Sequence, residues 1–222
     1  MSDIKKNILE LRKTVPPHVK IIAVSKTKPS TAIQEAYEAG QRAFGENYVQ
    51  EIIEKQPQLP QDIEWHFIGH LQSNKVKNIA PFVSYIHAVH NVKLLQEIEK
   101  QAAKNERMIK CFLQFHIADE DTKHGFDTSA YKEELSGVNW SEFPHVEISG
   151  VMGMASFVEN QKQIELEFEK LTHIFQELKS SIFKDNANFT EISMGMSGDW
   201  PLAVEKGSTM IRVGSSIFGS RL

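Results

Sequence analysis

The stretch that decides the fold is residues 19–29, VKIIAVSKTKP. Its apolar centre, residues 21–24, is continuous and rich in β-branched side chains, which is typical of a strand covered on both faces, as in a parallel sheet. Lys26 follows where this strand leaves the core, and Pro29 ends the strand and starts a helix. We therefore predict a buried first strand with a lysine at its carboxyl end.

A lysine at such a boundary can act as a nucleophile. An ammonium group that is partly shielded from water loses its proton readily, and the neutral amine forms a Schiff base with a carbonyl compound. Lys26 and Lys28 share a face by the two-residue period of a strand. Lys28 directly precedes Pro29 and belongs to the turn, so Lys26 is the favoured amine. The alternative is that both lysines are solvated residues at a strand end.

The composition limits the possible functions. The chain has 222 residues and 41% hydrophobic content, which predicts one domain, residues 1–222, with a sizeable core. A net charge of −4 without a long basic block argues against nucleic-acid binding. The apolar runs are too short to span a membrane, and residues 1–6 lack a signal-peptide core. The single cysteine, Cys111, leaves no disulfide and suggests a reducing cytoplasm. No cysteine or histidine cluster has metal-ligand spacing, so we expect no metal site.

Eight segments have the pattern of a β-strand, and each is followed by a helix or a short helical piece. They lie at residues 19–25, 43–44, 64–68, 85–89, 108–117, 146–154, 189–193 and 210–213. Such strict alternation predicts an α/β fold with a parallel sheet, and eight units suggest a single (β/α)8 TIM barrel with apolar strand interiors. The alternative is an open doubly wound sheet. That fold would usually carry a glycine-rich turn after its first strand, where this chain has residues 26–29.

The ends of the seventh and eighth strands have the composition of a phosphate site. Active sites of (β/α)8 barrels lie at the carboxyl ends of the strands, often with a phosphate in the last two loops. Residues 193–197, SMGMS, and 212–216, RVGSS, offer glycine N–H groups, serine hydroxyls and helix starts. The alternative is that Gly195 and Gly214 only make turns and that Ser215 only caps a helix.

Barrel closure brings the first strand beside the eighth, so the amine and the phosphate cradle should be neighbours. A ligand with an aldehyde and a phosphate would bridge them. Pyridoxal 5′-phosphate has that shape, and proteins hold it on a lysine as a Schiff base. By the strand period Arg212 points into the barrel mouth with Met210 and Gly214, where its guanidinium can face the pyridine nitrogen. The alternative for Arg212 is an ion pair with a loop carboxylate.

Five segments carry a resemblance to a known family. They are residues 23–29 (AVSKTKP), 44–51 (FGENYVQE), 66–75 (HFIGHLQSNK), 193–197 (SMGMS) and 212–219 (RVGSSIFG). In this order they resemble the YggS/PROSC family of pyridoxal phosphate homeostasis proteins, and the resemblance covers nearly the whole chain.

The resemblance implies one barrel similar to the N-terminal domain of alanine racemase, without that enzyme's second β domain. It also implies that pyridoxal phosphate is bound covalently at Lys26. The other site residues that it implies are Ser197, Gly214 and Ser215 at the phosphate, Arg212 at the pyridine nitrogen, Asn47 beside the ring, and Met152, Gly153 and Met154 at the mouth. The chain departs from the family pattern at Phe115 and His116, which would alter the mouth if they faced it.

The function that the resemblance implies is intracellular homeostasis of pyridoxal phosphate. The protein would carry or regulate the cofactor for apo forms of pyridoxal-phosphate enzymes, without catalytic residues of its own. One alternative is a weak amino-acid racemase. Racemisation needs acid/base groups on both faces of the Cα, and alanine racemase takes one of them from the domain missing here. A class I aldolase is a further alternative, although its lysine typically lies on a later strand. We expect a monomer, because no apolar surface stripe remains.

Overall fold

A computed structural model describes residues 3–118 and 124–219 of the chain. Eight parallel strands pair in sequence order and close into a barrel. They are β1 (Lys20–Val24), β2 (Ala43–Glu46), β3 (Glu64–Phe67), β4 (Tyr85–Val89), β5 (Ile109–Gln114), β6 (Val146–Met152), β7 (Glu191–Ser193) and β8 (Met210–Val213). The predicted (β/α)8 barrel is confirmed, and the open doubly wound sheet was the wrong alternative.

Helices connect the strands. They are α1 (Asp3–Thr14), α2 (Ser30–Glu38), α3 (Val49–Lys55), α4 (Val76–Ile79), α5 (Val92–Lys104), α6 (Tyr131–Ser136), α7 (Gln161–Ser180), α8 (Trp200–Glu205) and α9 (Ser215–Phe218), with short 3-10 turns at Gln56–Gln58, Ser73–Lys75 and Trp140–Glu142. The longest, α7, buries Ile164, Phe168 and Leu171 at helical spacing. Asn91 caps α5 by accepting a hydrogen bond from the Leu94 N–H.

The pairing of β1 with β8 positions the functional end of the barrel. Ile22 lies opposite Arg212, and Ala23 lies opposite Val213. Since the two strands are parallel, the chain that follows β1 and the chain that follows β8 emerge side by side at the carboxyl end. Lys26 and Gly214 are therefore neighbours in the fold, although almost the whole sequence separates them.

The barrel interior is not wholly apolar, so the predicted apolar strand interiors are corrected here. One apolar cluster inside the barrel consists of Ile22, Ala43, Tyr85, Phe112, Met152 and Met210. The same interior buries four polar side chains, His66, His87, Ser193 and Arg212. Their burial is tolerated because they form hydrogen bonds with one another.

Cys111 is a buried residue of β5 with a free thiol. Burial raises the pKa of this thiol, so it remains protonated and unreactive at neutral pH. Within residues 3–118 and 124–219, no helix has both the length and the apolar character that crossing a bilayer requires. The same residues contain no group of three or more His, Cys, Asp or Glu side chains suited to hold a metal ion.

Candidate cofactor site

A cavity of about 650 Å³ opens at the carboxyl ends of the strands. Its volume lies within the usual range for small-molecule sites, roughly 300–1,000 Å³. Six of the seven site residues predicted from the sequence line it, namely Lys26, Asn47, Ser197, Arg212, Gly214 and Ser215. The structure thus brings the amine after β1 and the loops after β7 and β8 to one cavity.

The seventh predicted residue, Met152, lies deeper. It is 1% exposed and packs inside the barrel with Ile22 and Phe112. The chain leaves the sheet after Met152, and Met154 takes the position on the cavity wall. The departure at Phe115 also lies away from the cavity lining, because Phe115 packs against the rings of Phe126 and Tyr131.

The turn that carries Lys26 has a strained backbone. Thr27 has a φ of 65°, a left-handed conformation that is unusual for a β-branched residue. The Thr27 N–H donates to Glu51 Oε2 over 2.7 Å. Such a conformation persists only where surrounding contacts fix it, which is common at functional sites. The turn after β1 is therefore held in place by helix α3.

A buried network beneath this turn supplies the fixing contacts. Lys55 Nζ, on α3, donates to the Ser25 carbonyl at 3.0 Å, to Glu46 Oε1 at 2.9 Å and to Glu51 Oε2 at 2.7 Å. All three donors of the ammonium are used. The Ser25 hydroxyl also donates to Glu46 Oε1 at 2.6 Å. We call Ser25, Glu46, Glu51 and Lys55 the Lys26 clamp.

The clamp is a buried ion pair with a carboxylate at its centre. Burial raises the pKa of Glu46, and the hydrogen bonds from Ser25 and Lys55 oppose this rise. Glu46 is the last residue of β2 and is fully buried. The spacing of Glu51 and Lys55, four residues apart on a helix, was a detectable signal for part of the network.

Arg212 forms the buried wall of the cavity. One terminal nitrogen, Nη1, donates to Ser193 Oγ at 2.7 Å, and Nη2 donates to the Gly153 carbonyl at 2.9 Å. Burial lowers the pKa of Arg212 to about 10, so the guanidinium is still charged at neutral pH. A serine and a backbone carbonyl accept its hydrogen bonds, and the loop carboxylate of Asp199 opposes the lowering of its pKa.

The loops after β7 and β8 meet through a serine. Ser197 Oγ accepts a hydrogen bond from the Gly214 N–H at 3.2 Å. Gly195 has a φ of 95°, and an added Cβ would lie 2.7 Å from the Cβ of Ala203, so the first loop requires glycine. Ser215 begins α9, and the N–H groups of Ser215 and Ser216 have no acceptor within this short helix. The rim therefore offers donors to an anion.

The charges and orphaned atoms of the lining suit a small anionic carbonyl compound. Lys26, Lys28 and Arg212 are basic, whereas Asp199 is acidic. Asn47 contributes a buried side-chain oxygen that has no hydrogen-bond partner within the part of the chain that the structure describes. Such an acceptor is costly unless a ligand satisfies it. The residues present thus fit a ligand with an aldehyde, a phosphate and a polar ring.

Comparisons with known proteins place the chain in a family. The family model described as alanine racemase, N-terminal domain, matches residues 1–222. The pyridoxal phosphate homeostasis protein of Haemophilus influenzae is 39% identical over 207 residues, which cover 91% of this chain and 85% of the relative. The protein of the same name from Escherichia coli strain K12 is 34% identical over 236 residues, which cover 100% of this chain and 98% of the relative.

Solved structures give the same assignment. PipY of Synechococcus elongatus is 39% identical, covers 97% of this chain over its whole length, and superposes with a TM-score of 0.91 without pyridoxal phosphate and 0.88 with it bound. Alanine racemase of Bacillus anthracis, 17% identical with a TM-score of 0.68, shares the fold over 99% of this chain and 56% of its own. This chain belongs to the YggS/PROSC family of pyridoxal phosphate homeostasis proteins.

Proposed function

We propose that this chain binds pyridoxal 5′-phosphate and acts in its homeostasis. The observation that carries the proposal is that Lys26 and the donor-rich loops after β7 and β8 line one cavity. Further support comes from the pyridoxal phosphate bound by PipY and from the names of the curated relatives. One barrel domain, residues 1–222, carries this function.

The proposal gives each lining residue a role. Lys26 supplies the amine, and the aldehyde of pyridoxal phosphate supplies the carbonyl carbon with which it condenses. Ser197 and the backbone at Gly214 and Ser215 hold the phosphate, and Arg212 faces the ring nitrogen. Asn47, which lines the same cavity, lies beside the ring. Met152 acts indirectly, by packing beneath the cavity.

The protein holds the cofactor without turnover. Its role is to supply pyridoxal phosphate to apo enzymes in the cytoplasm and to limit the free aldehyde, and it works as a monomer. The competing function is a weak racemase, which is favoured only by the shared fold. This chain matches 56% of the length of the Bacillus anthracis racemase. Slow exchange of the alanine Cα proton in D2O supports the carrier, whereas brisk exchange supports the racemase.

The test of the proposal is the absorption spectrum of the purified protein after pyridoxal phosphate is added. We expect a visible band that borohydride reduction converts to a stable adduct, and peptide mass mapping should place that adduct on Lys26. A protein that stays colourless and does not alter the spectrum of the added cofactor would overturn both the carrier and the racemase.

Replacing Ser197 by alanine should weaken cofactor binding by about 1–2 kcal/mol, near the lower end of the range for a hydrogen bond to a charged group. The variant loses the hydroxyl and also the Ser197–Gly214 contact between the two loops. Equilibrium titration followed by absorbance measures the affinity. Ser216→Ala, in the same rim but not assigned to the phosphate, is the control. An unchanged affinity for Ser197→Ala would mean that backbone amides alone hold the phosphate.

A further inference from the structure

A continuous chain of hydrogen bonds crosses the barrel interior from one end to the other. Glu64, the first residue of β3, bonds to His66 Nε2 at 2.8 Å, and His66 Nδ1 bonds to His87 Nε2 at 2.9 Å. His87 Nδ1 bonds to Ser193 Oγ at 2.9 Å, and Ser193 Oγ bonds to Arg212 Nη1 at 2.7 Å. We call these five residues the interior chain.

The chemistry of its two ends sets the direction of every bond. An ionised carboxylate only accepts hydrogen bonds, and a guanidinium only donates them. Burial opposes ionisation of Glu64, but its bonds to His66 and Lys20 outweigh this and lower its pKa to about 2. Burial lowers the pKa of His66 and of His87, so both rings are neutral at pH 7. Each ring then has one donor and one acceptor nitrogen.

With both rings neutral, the proton positions follow one after another. His66 must donate from Nε2 to Glu64, so its Nδ1 accepts from Nε2–H of His87. The Nδ1 of His87 then accepts from the Ser193 hydroxyl, whose oxygen accepts from Arg212. All four bonds of the interior chain therefore point from Arg212 to Glu64.

Packing fixes the planes of the two rings. His66 stacks on Tyr85 with centroids 4.3 Å apart and planes 4° apart. His87 stacks on Phe112 at 4.3 Å and 23°. At the outer end, Lys20 Nζ lies 2.6 Å from the same Glu64 oxygen that His66 contacts. The interior chain thus has two stacked rings and an anionic end that is paired with Lys20.

We propose that Glu64, His66, His87 and Ser193 are positioning residues, which hold the Arg212 guanidinium in one orientation at the cavity through this one-directional chain. Ser193, the neighbouring member of the interior chain, accepts a hydrogen bond from Arg212 Nη1, and the Gly153 carbonyl accepts one from Nη2. Under the proposed function, other N–H groups of the guanidinium would meet a hydrogen-bond acceptor of the ligand. The contact between Arg212 and the ligand rests on the proposed function, whereas the direction of the hydrogen bonds in the interior chain does not.

The first experiment measures the proton positions on the two histidine rings of the interior chain, in the full-length protein without ligand. Nitrogen-15 NMR of the histidine rings at pH 7 should find His66 and His87 neutral, each with its proton on Nε2. The Glu64→Ala variant should lose this fixed pattern and give mixed tautomers. Glu147→Ala is the control, because Glu147 pairs with Lys110 and is not a member of the interior chain. A proton on Nδ1 of either ring in the natural protein would overturn the proposal.

The second experiment measures the effect on the ligand, with pyridoxal phosphate as the probe. Ser193→Ala should weaken its binding about 10-fold, because the Arg212 guanidinium loses the hydrogen bond that orients it, and should shift the visible band of the bound cofactor. Ser193→Thr, which keeps the hydroxyl, should restore both. Ser208→Ala removes another buried serine, one that bonds to the Met194 carbonyl, and should change neither.

Glu64→Ala keeps the test informative if Ser193→Ala does not fold, because Glu64 is partly exposed and is not among the residues that line the cavity. We expect it to shift the same band and weaken binding several-fold, with Glu147→Ala unchanged. Equal binding and spectra in the chain variants and their controls would overturn the proposal. If the natural protein binds no pyridoxal phosphate, the proposed function fails, and the histidine tautomers still decide the direction of the chain.

Discussion

Lys26→Ala should bind pyridoxal phosphate without forming a covalent adduct. The expected loss of the borohydride-trapped mass is complete, because this variant removes the amine and leaves Ser197, Arg212 and the loop after β8 in place. Some affinity should remain, because under the proposed function those groups would still hold the phosphate and the ring. Reduction followed by intact mass measures the adduct, and absorbance titration measures the residual binding.

Lys28→Ala is the matched control, since Lys28 lines the same cavity two residues later. It should retain the adduct and the visible band. If Lys26→Ala kept a full adduct and Lys28→Ala lost it, the covalent residue would be Lys28. An adduct on neither lysine would contradict covalent attachment at this turn altogether.

Lys55→Met should destabilise the protein by about 3–5 kcal/mol at pH 8, the usual cost of removing one partner from a buried ion pair. Methionine keeps an aliphatic side chain of similar length and removes the ammonium. Glu46 then stays buried without its cation, and the Ser25 carbonyl loses its donor. Urea unfolding measures the free energy of unfolding of both proteins.

The loss should depend on pH, with a definite sign. Burial already raises the pKa of Glu46 in the folded state, and Lys55 opposes that rise. Without Lys55 the folded pKa rises further above the ordinary value of 4.5. A carboxyl group with a raised folded pKa costs stability above its unfolded pKa and costs nothing below it. The deficit of Lys55→Met should therefore be smaller at pH 5 than at pH 8.

Two further variants separate this cause from general damage. Adding Glu46→Gln to Lys55→Met removes the uncompensated charge and should recover part of the stability. Lys13→Met breaks an ion pair with Glu10 on the exposed face of α1 and should leave stability nearly unchanged. A double variant no more stable than Lys55→Met would argue against the buried charge as the cause.

Because the clamp holds the strained turn at Thr27, Lys55→Met should also slow attachment of pyridoxal phosphate to Lys26.

The sequence by itself determined the architecture of this protein and the position of its candidate site in the fold. The apolar run before Lys26 and the alternation of strand and helix patterns each depend on short windows of sequence, so they could be predicted locally. The glycine and serine loops after β7 and β8 are equally local. Since parallel strands of a barrel end at one face, those local features were enough to place Lys26, Ser197 and Gly214 together.

Only the tertiary structure decided what lies beneath that face. His87 and Ser193 are 106 residues apart, and the bond between them exists because the barrel turns both side chains into one interior. Glu46 reaches Lys55 beneath the Lys26 turn for a similar reason, and Met152 lies below the cavity although a neighbouring position reaches its wall. Hydrophobicity patterns record whether a residue is buried, but they do not record which distant residue it meets. Barrel closure and strand register set those partners.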